Sequence, residues 1–271
     1  MKPRLVTPWF REMPWGAVIL EPWFPRQEAR IGEVWFRGDE EPLPILVKFI
    51  FTTDRLSVQV HPGDEDALRL EGTPGKTEMW HILRAEPGAR VALGLRGPLS
   101  HERLREAALS GEIERLLQWI PVEPGETYFI YPGTIHTIGP GVTLCEIQQP
   151  HDLTYRLHDY DRPRELHLEK ALEVASLDPH PGRLAAVDLG GGRSLLALCE
   201  HFAVELWELH HAVPYRPAED RLQLLVILEG EGRLAGEPFV PGQVWLVPAG
   251  AEPFLIETHF PARLLQAFVP G

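Results

Sequence analysis

Pro124-Gly125-Glu126-Thr127-Tyr128-Phe129-Ile130-Tyr131-Pro132-Gly133 is echoed further along the chain by Pro241-Gly242-Gln243-Val244-Trp245-Leu246-Val247-Pro248-Ala249-Gly250. In each, a Pro-Gly turn leads into an apolar strand and then into a second Pro/Gly turn, the pattern of a repeated β unit. Working outward, short apolar and β-branched runs recur, broken by Gly or Pro at intervals of roughly 8–12 residues. They predict strands at 43–51, 56–60, 78–83, 127–130, 144–148, 202–209, 222–228, 243–247 and 263–268. That spacing belongs to an all-β sandwich or barrel. Three stretches read as helix: 99–119, 164–176, and a short one after His61, where Asp64 and Glu65 supply an acidic first turn. Segment 176–193, rich in Gly and Pro, reads as the junction between two units. The expectation is a mainly β chain of two small barrels in tandem, divided into 1–178 and 179–271, with a few helices.

Composition narrows the function. The 271 residues are 44% hydrophobic and 24% charged, an ordinary mix for a globular protein. No apolar run reaches the roughly 18–20 residues that span a bilayer, and the first residues lack a secretory apolar stretch. Cys145 and Cys199 are too few for a disulfide framework and have no metal-type spacing. The expectation is therefore a reduced, cytoplasmic protein with no membrane partner. A formal charge of −13 excludes a general nucleic-acid binder. It also requires that an anionic substrate be held by a local basic cluster against the overall field.

The first unit carries metal-type donors. Ser57-Val58-Gln59-Val60-His61 reads as a strand whose alternation sends Ser57, Gln59 and His61 to one face. Glu78 opens another strand, and His136 follows the turn Tyr131-Pro132-Gly133. Two imidazoles, a carboxylate and an amide oxygen suit a borderline divalent ion such as zinc, with Fe(II), Mn(II) and Co(II) as competitors. His101, His167, His180, His201 and His259 sit in charged or loop contexts and read as ordinary histidines. In the second unit Glu252 stands where the first has His136, and nothing matches Gln59-x-His61. That unit is expected to bind no metal.

The segments SVQVHP, GKTEMW, YPGTIHTIG and EIQQPHDLTYRLHDYDR, in this order, resemble the bacterial short form of type I mannose-6-phosphate isomerase, a cupin family. The likeness covers about the first 170 residues at matching spacing and is looser beyond them. Ala17 replaces a glycine common in the family, and the chain has no room for the helical domain of its longer members. The resemblance implies two cupin-type (jelly-roll) barrels and one Zn2+ per chain on Gln59, His61, Glu78 and His136, with a catalytic role for Arg156. The implied reaction interconverts mannose 6-phosphate and fructose 6-phosphate through an enediol, with a sugar phosphate as the small-molecule partner and a monomer or homodimer as the assembly.

Loss of a proton alpha to a carbonyl leaves negative charge on oxygen, so the site needs electrostatic stabilisation and a base. Lys76, Glu146 and Arg156 are the candidates for the chemical step. Lys48 and Ser57 are the candidates for holding the substrate. The bland readings are a solvated loop lysine for Lys76, an edge-strand lysine for Lys48, and an ion pair with Asp152 or Asp159 for Arg156. Competing functions are a non-catalytic sugar-phosphate-binding cupin and a different metal-dependent cupin reaction.

Overall fold

A computed structural model describes residues 2–38, 42–258 and 260–271; His259 lies outside the described residues. Up to the junction the strands are β1 (Arg4–Leu5), β2 (Trp9–Ala17), β3 (Ile31–Phe36), β4 (Leu46–Phe51), β5 (Val58–Val60) and β6 (Glu78–Ala85). There follow β7 (Arg90–Leu95), β8 (Leu117–Pro121), β9 (Thr127–Ile130), β10 (His136–Ile138), β11 (Val142–Gln148) and β12 (Tyr155–His158). The helices among them are α1 (Asp64–Glu71), α2 (His101–Ser110), α3 (Ile113–Leu116) and α4 (Leu168–Val174). Beyond the junction come β13 (Val187–Gly190), β14 (Arg193–Leu198), β15 (Ala203–Leu209), β16 (Val213–Tyr215) and β17 (Gln223–Glu229). The last are β18 (Gly232–Leu234), β19 (Glu237–Phe239), β20 (Val244–Val247), β21 (Phe254–Thr258) and β22 (Ala262–Phe268).

The chain is mainly β, as its Gly/Pro punctuation predicts. Strands β2-β3-β4-β11-β6-β9 form one sheet and β12-β5-β10-β7-β8 a second. Strands β1-β20-β17-β22-β15-β14-β13 form a third and β16-β21-β18-β19 a fourth. The two echoed segments become β9 and β20, each entered and left by its Pro/Gly turns.

Alternation decides what each face covers. On β4 and β11, Ile50 and Leu144 join Trp15, Trp80 and Leu93 in a core between the first two sheets. Phe49, Phe51, Cys145 and Ile147 point the other way and pack on Val204, Val226 and Leu265 of the third sheet. Covered on both sides, β4 is buried at every residue. A further core joins the third and fourth sheets through Ile227, Trp245, Phe239 and Ile256. Leu104, Ala108 and Leu172 of the helices cover the outer face of the second sheet against Val58, Val60 and Leu157.

The structure corrects several local expectations. Helix 99–119 is broken, because Gly111 takes a left-handed conformation (φ 76°) that ends α2. After the single turn α3, residues 117–121 pair with β7 as β8 instead. Helix 164–176 shrinks to α4, since Arg164 and Arg162 are held on Asp159 and keep the preceding segment turned. Within the predicted junction, Gly190, Gly191 and Gly192 make the turn of the β13–β14 hairpin rather than a linker. The strand containing Gln59 is only Val58–Val60, so Ser57 and His61 flank it.

Candidate active site

β5, β10 and β12 lie side by side, with Gln59 opposite His136 on one neighbour and opposite Arg156 on the other. On the facing sheet, Glu146 of β11 stands between Lys48 of β4 and Trp80 of β6, while Gln148 is opposite Glu78. All nine residues expected at the site are thereby gathered between the first two sheets. Arg11, Glu33, Lys48, Ser57, Gln59, Lys76, Glu146, Asp152 and Arg156 are among those lining the cavity there. A larger apolar groove of about 650 Å³, bordered by Phe129, Tyr131 and Leu196, contains none of the expected residues.

His61, Glu78 and His136 converge, with one candidate donor atom from each lying within 4.8 Å of the others. Nε2 of His61 is 3.6 Å from Glu78 Oε2, and Nε2 of His136 is 3.6 Å from Glu78 Oε1. Each imidazole donates its other nitrogen to a backbone carbonyl, His61 Nδ1 to Leu153 O (2.8 Å) and His136 Nδ1 to Thr134 O (2.8 Å). That fixes the tautomer and turns both Nε2 lone pairs inward, the arrangement metal-binding histidines use. His61 Nε2 and both Glu78 carboxylate oxygens are buried without a hydrogen-bond partner, Glu78 Oε2 having the Lys76 ammonium 3.3 Å away as an ion pair; the remaining orphaned acceptors are costly unless a cation joins them.

The electrostatics agree. Burial holds His61 well below its ordinary range, with the Lys76 charge adding to it. Burial lowers His136 to about 4, so both rings are neutral. Burial and the Glu146 charge push Glu78 up to about 8; a divalent cation at this point reverses that penalty. The residues present fit a zinc ion. Gln59 is adjacent, its Nε2 3.3 Å from His136 Nε2 and its Oε1 accepting from Ser57 Oγ at 3.0 Å.

Lys76 lies in the loop that precedes β6, whose first residue is Glu78. Its Nζ nevertheless stands 3.3 Å from Glu78 Oε2. The loop is held by Lys76 N donating to Pro62 O, Gly75 N to Asp64 Oδ1, and Thr77 N to Gln149 Oε1. Lys48 is no edge lysine: β4 lies between β3 and β11. Lys48 and Lys76 are 2% and 3% exposed, which excludes a solvated role for either.

Both lysines converge on Asp152 Oδ1, at 2.7 and 3.0 Å. Lys48 Nζ is also 3.0 Å from Glu146 Oε1. Burial opposes the charge on Lys48, but Asp152 and Glu146 outweigh it and hold the ammonium above its ordinary range. Burial likewise opposes the Glu146 carboxylate, yet Lys48 and Lys76 keep its pKa below the usual range. Glu146 Oε2 accepts from Trp80 Nε1 at 3.0 Å.

Arg156 pairs with neither of its sequence-suggested partners. Asp152 is taken by the lysines and Asp159 by Arg164 and Arg162. Its Nε is buried without a partner. Sequence reasoning named Asp152 only as a possible partner of Arg156, and missed Glu33, whose carboxylate accepts from Trp35 Nε1 at 2.6 Å. A signal existed for Glu33. It alternates with Trp35 on one face of an otherwise apolar strand, Ile31-Gly32-Glu33-Val34-Trp35-Phe36.

No protein-family model matches the chain. A curated Mannose-6-phosphate isomerase ManA of Bacillus subtilis (strain 168) is 36% identical over 232 residues, 80% of this chain and 72% of that protein. The crystal structure of the mannose 6-phosphate isomerase from Bacillus subtilis matches 98% of this chain and 99% of that chain, with TM-score 0.87 and 26% identity. A zinc-bound holo mannose 6-phosphate isomerase shares the fold with TM-score 0.78, at 15% identity over 100% of both chains. With such identity over four fifths of its sequence, the chain belongs to the mannose-6-phosphate isomerase family.

Proposed function

We propose that this chain interconverts mannose 6-phosphate and fructose 6-phosphate through an enediol, with one zinc ion held by Gln59, His61, Glu78 and His136. The observation that carries the reading is the buried convergence of His61, Glu78 and His136, where His61 Nε2 and Glu78 Oε1 accept no hydrogen bond and Lys76 pairs with the other Glu78 oxygen. Half a turn of the Gln59 amide would put Oε1 on the His136 side and let Nε2 donate to Ser57 Oγ, completing four donors. When bound there, the ion supplies Lewis-acid stabilisation of the charge that develops on the substrate's C1 and C2 oxygens.

The chain's own groups divide the remaining work. Glu146, kept ionised by two ammonium groups, is the base that takes the C2 proton of the aldose and returns it to C1. Lys76 and Lys48 hold the sugar oxygens, and Lys76, nearest to Glu78, balances the charge that builds there. Arg156, whose donors are not spent on a carboxylate, directs its planar fork at the enediolate. Ser57 keeps Gln59 in place and completes the wall that the substrate meets.

The same reading takes 1–178 and 179–271 as two cupin-type barrels, only the first binding metal, with β1 lent to the sheet of the second. It makes the chain a cytoplasmic monomer or homodimer whose partner is a sugar phosphate. The test is NMR of mannose 6-phosphate in heavy water with metal-analysed protein. Ketose should form with solvent deuterium entering the C1–C2 positions. Zinc-loaded protein giving neither ketose nor exchange would sink the isomerase reading and leave a binding module.

A further inference from the structure

The phosphate of a hexose 6-phosphate sits at the opposite end of the carbon chain from C1 and C2. If the reacting carbons lie by Glu78 and Lys76, the phosphate needs a cation further out. Most cations near the cavity are already committed. Lys48 and Lys76 share Asp152 and face Glu146. Arg164 grips Asp159 with two hydrogen bonds at 2.6 and 2.7 Å.

Arg11 differs from these. It lines the cavity from β2 and is more exposed than Lys48, Lys76 or Arg164, its side chain 31% exposed, three ion pairs removed from Glu78 through Asp152 and Lys76. Its guanidinium lies 4.3 Å over the Trp35 ring and 5.3 Å over the Trp9 ring. Its carboxylate contacts are long, 3.6 Å to Glu33 and 3.8 Å to Asp152. No hydrogen bond from its side chain is made to any described residue. Two aromatic rings thus seat a cation that spends no hydrogen bond on the described residues, a fork for a phosphate dianion.

Building on the isomerase reading, we propose that Arg11 binds the substrate's phosphate and is the residue by which the site selects phosphorylated over free hexoses. Phosphate oxygens can take its donors without breaking a hydrogen bond inside the protein. The contact is made in ground and transition states alike, so its loss falls on KM and leaves kcat.

The test uses the zinc-loaded full chain with Arg11→Met, Arg11→Lys and, as control, Arg37→Met. Arg37 lies 4.1 Å over the same Trp9 ring but does not line the cavity. Arg11→Met should raise KM for mannose 6-phosphate by about 10- to 100-fold, the scale of lost hydrogen bonds to a charged group, with kcat within about threefold. Calorimetry with glucitol 6-phosphate, which has no carbonyl to isomerise, should show the same fold-weakening. Arg11→Lys, keeping charge without the fork, should fall between the two, and Arg37→Met should match wild type.

A KM within about threefold of wild type in both Arg11 variants, or a fall in kcat at constant KM, overturns the assignment. So does an equal KM rise in Arg37→Met, which would reduce the effect to bulk charge. Wild-type protein that neither isomerises mannose 6-phosphate nor binds glucitol 6-phosphate refutes the underlying functional reading instead.

Discussion

Gly75→Ala tests whether the loop carrying Lys76 is a precision part. A Cβ at Gly75 would stand 2.6 Å from Gly63 C and 2.7 Å from both Asp64 N and Pro62 O. Ordinary contact begins at 3.4 Å, so the two backbone segments must part by about 0.8 Å. One segment follows His61; the other leads into Lys76 and Glu78. Both are tied together where Lys76 N donates to Pro62 O and Gly75 N to Asp64 Oδ1. Displacing reacting groups by about 1 Å costs on the order of 10²-fold in rate, and overpacking at a closed contact costs about 1–3 kcal/mol. The expected result is a 10²-fold fall in kcat/KM in a coupled isomerase assay, with a modestly lowered urea midpoint. Gly97→Ala is the control, because nothing lies within 4 Å of a Cβ there. Gly75→Ala protein with full zinc and kcat/KM within about threefold of wild type would refute the reasoning.

Elemental analysis should find one zinc per chain in the wild type and almost none in His61→Ala; two per chain, or undiminished metal in the variant, would refute the ligand set. Arg156→Lys keeps charge but loses the fork, so it should retain zinc and lose roughly 10²-fold or more in kcat; near-normal turnover, or zinc lost together with activity, counts against a role in the chemical step. Burial, aided by the Arg263 charge, lowers His81 to about 3. The folded state therefore favours its neutral form, and its stabilisation is complete above about pH 6.5 and lost as pH falls toward 3. Between pH 6.5 and 5 this group should remove about 2 kcal/mol; urea titrations of His81→Gln should show a shallower acid slope, and an unchanged slope would dismiss the effect.

The site was legible where its chemistry is local in sequence. A Pro-Gly turn before a strand and a histidine after the next turn can be read without knowing the fold, and His136 was found that way. The charge network is long-range. Lys48 meets Asp152 across 104 positions, and nothing local to His151-Asp152-Leu153 distinguishes a carboxylate that two lysines share from one paired with Arg156. Lys76 reaches Glu78 through backbone anchoring of a loop, which residue spacing alone does not reveal. Among the elements, 117–121 was read as helix because its leucines continue the helical spacing. Its pairing with β7, which a helical pattern cannot reveal, decided the matter. The strands at 9–17 and 31–36 escaped because Pro14 and the charges at Arg11, Glu12 and Glu33 interrupt the apolar run.

The strand order of the third sheet also sets a timetable for biosynthesis. β22 is inserted between the earlier strands β17 and β15, and β1 pairs with β20, which is made much later. During translation β1 must wait for β20 to emerge. Until β22 is in place, Phe49, Phe51 and Ile147, on the back of the sheet that carries Lys48 and Glu146, have Trp23, Phe24 and Phe36 beside them but lack the full cover of Val204, Val226 and Leu265. A nascent chain halted at residue 178 contains His61, Glu78 and His136 and still presents a half-covered apolar sheet to its surroundings, the kind of surface that draws chaperones or aggregates. Emergence of β22 is thus what completes the apolar cover behind the gathered site residues.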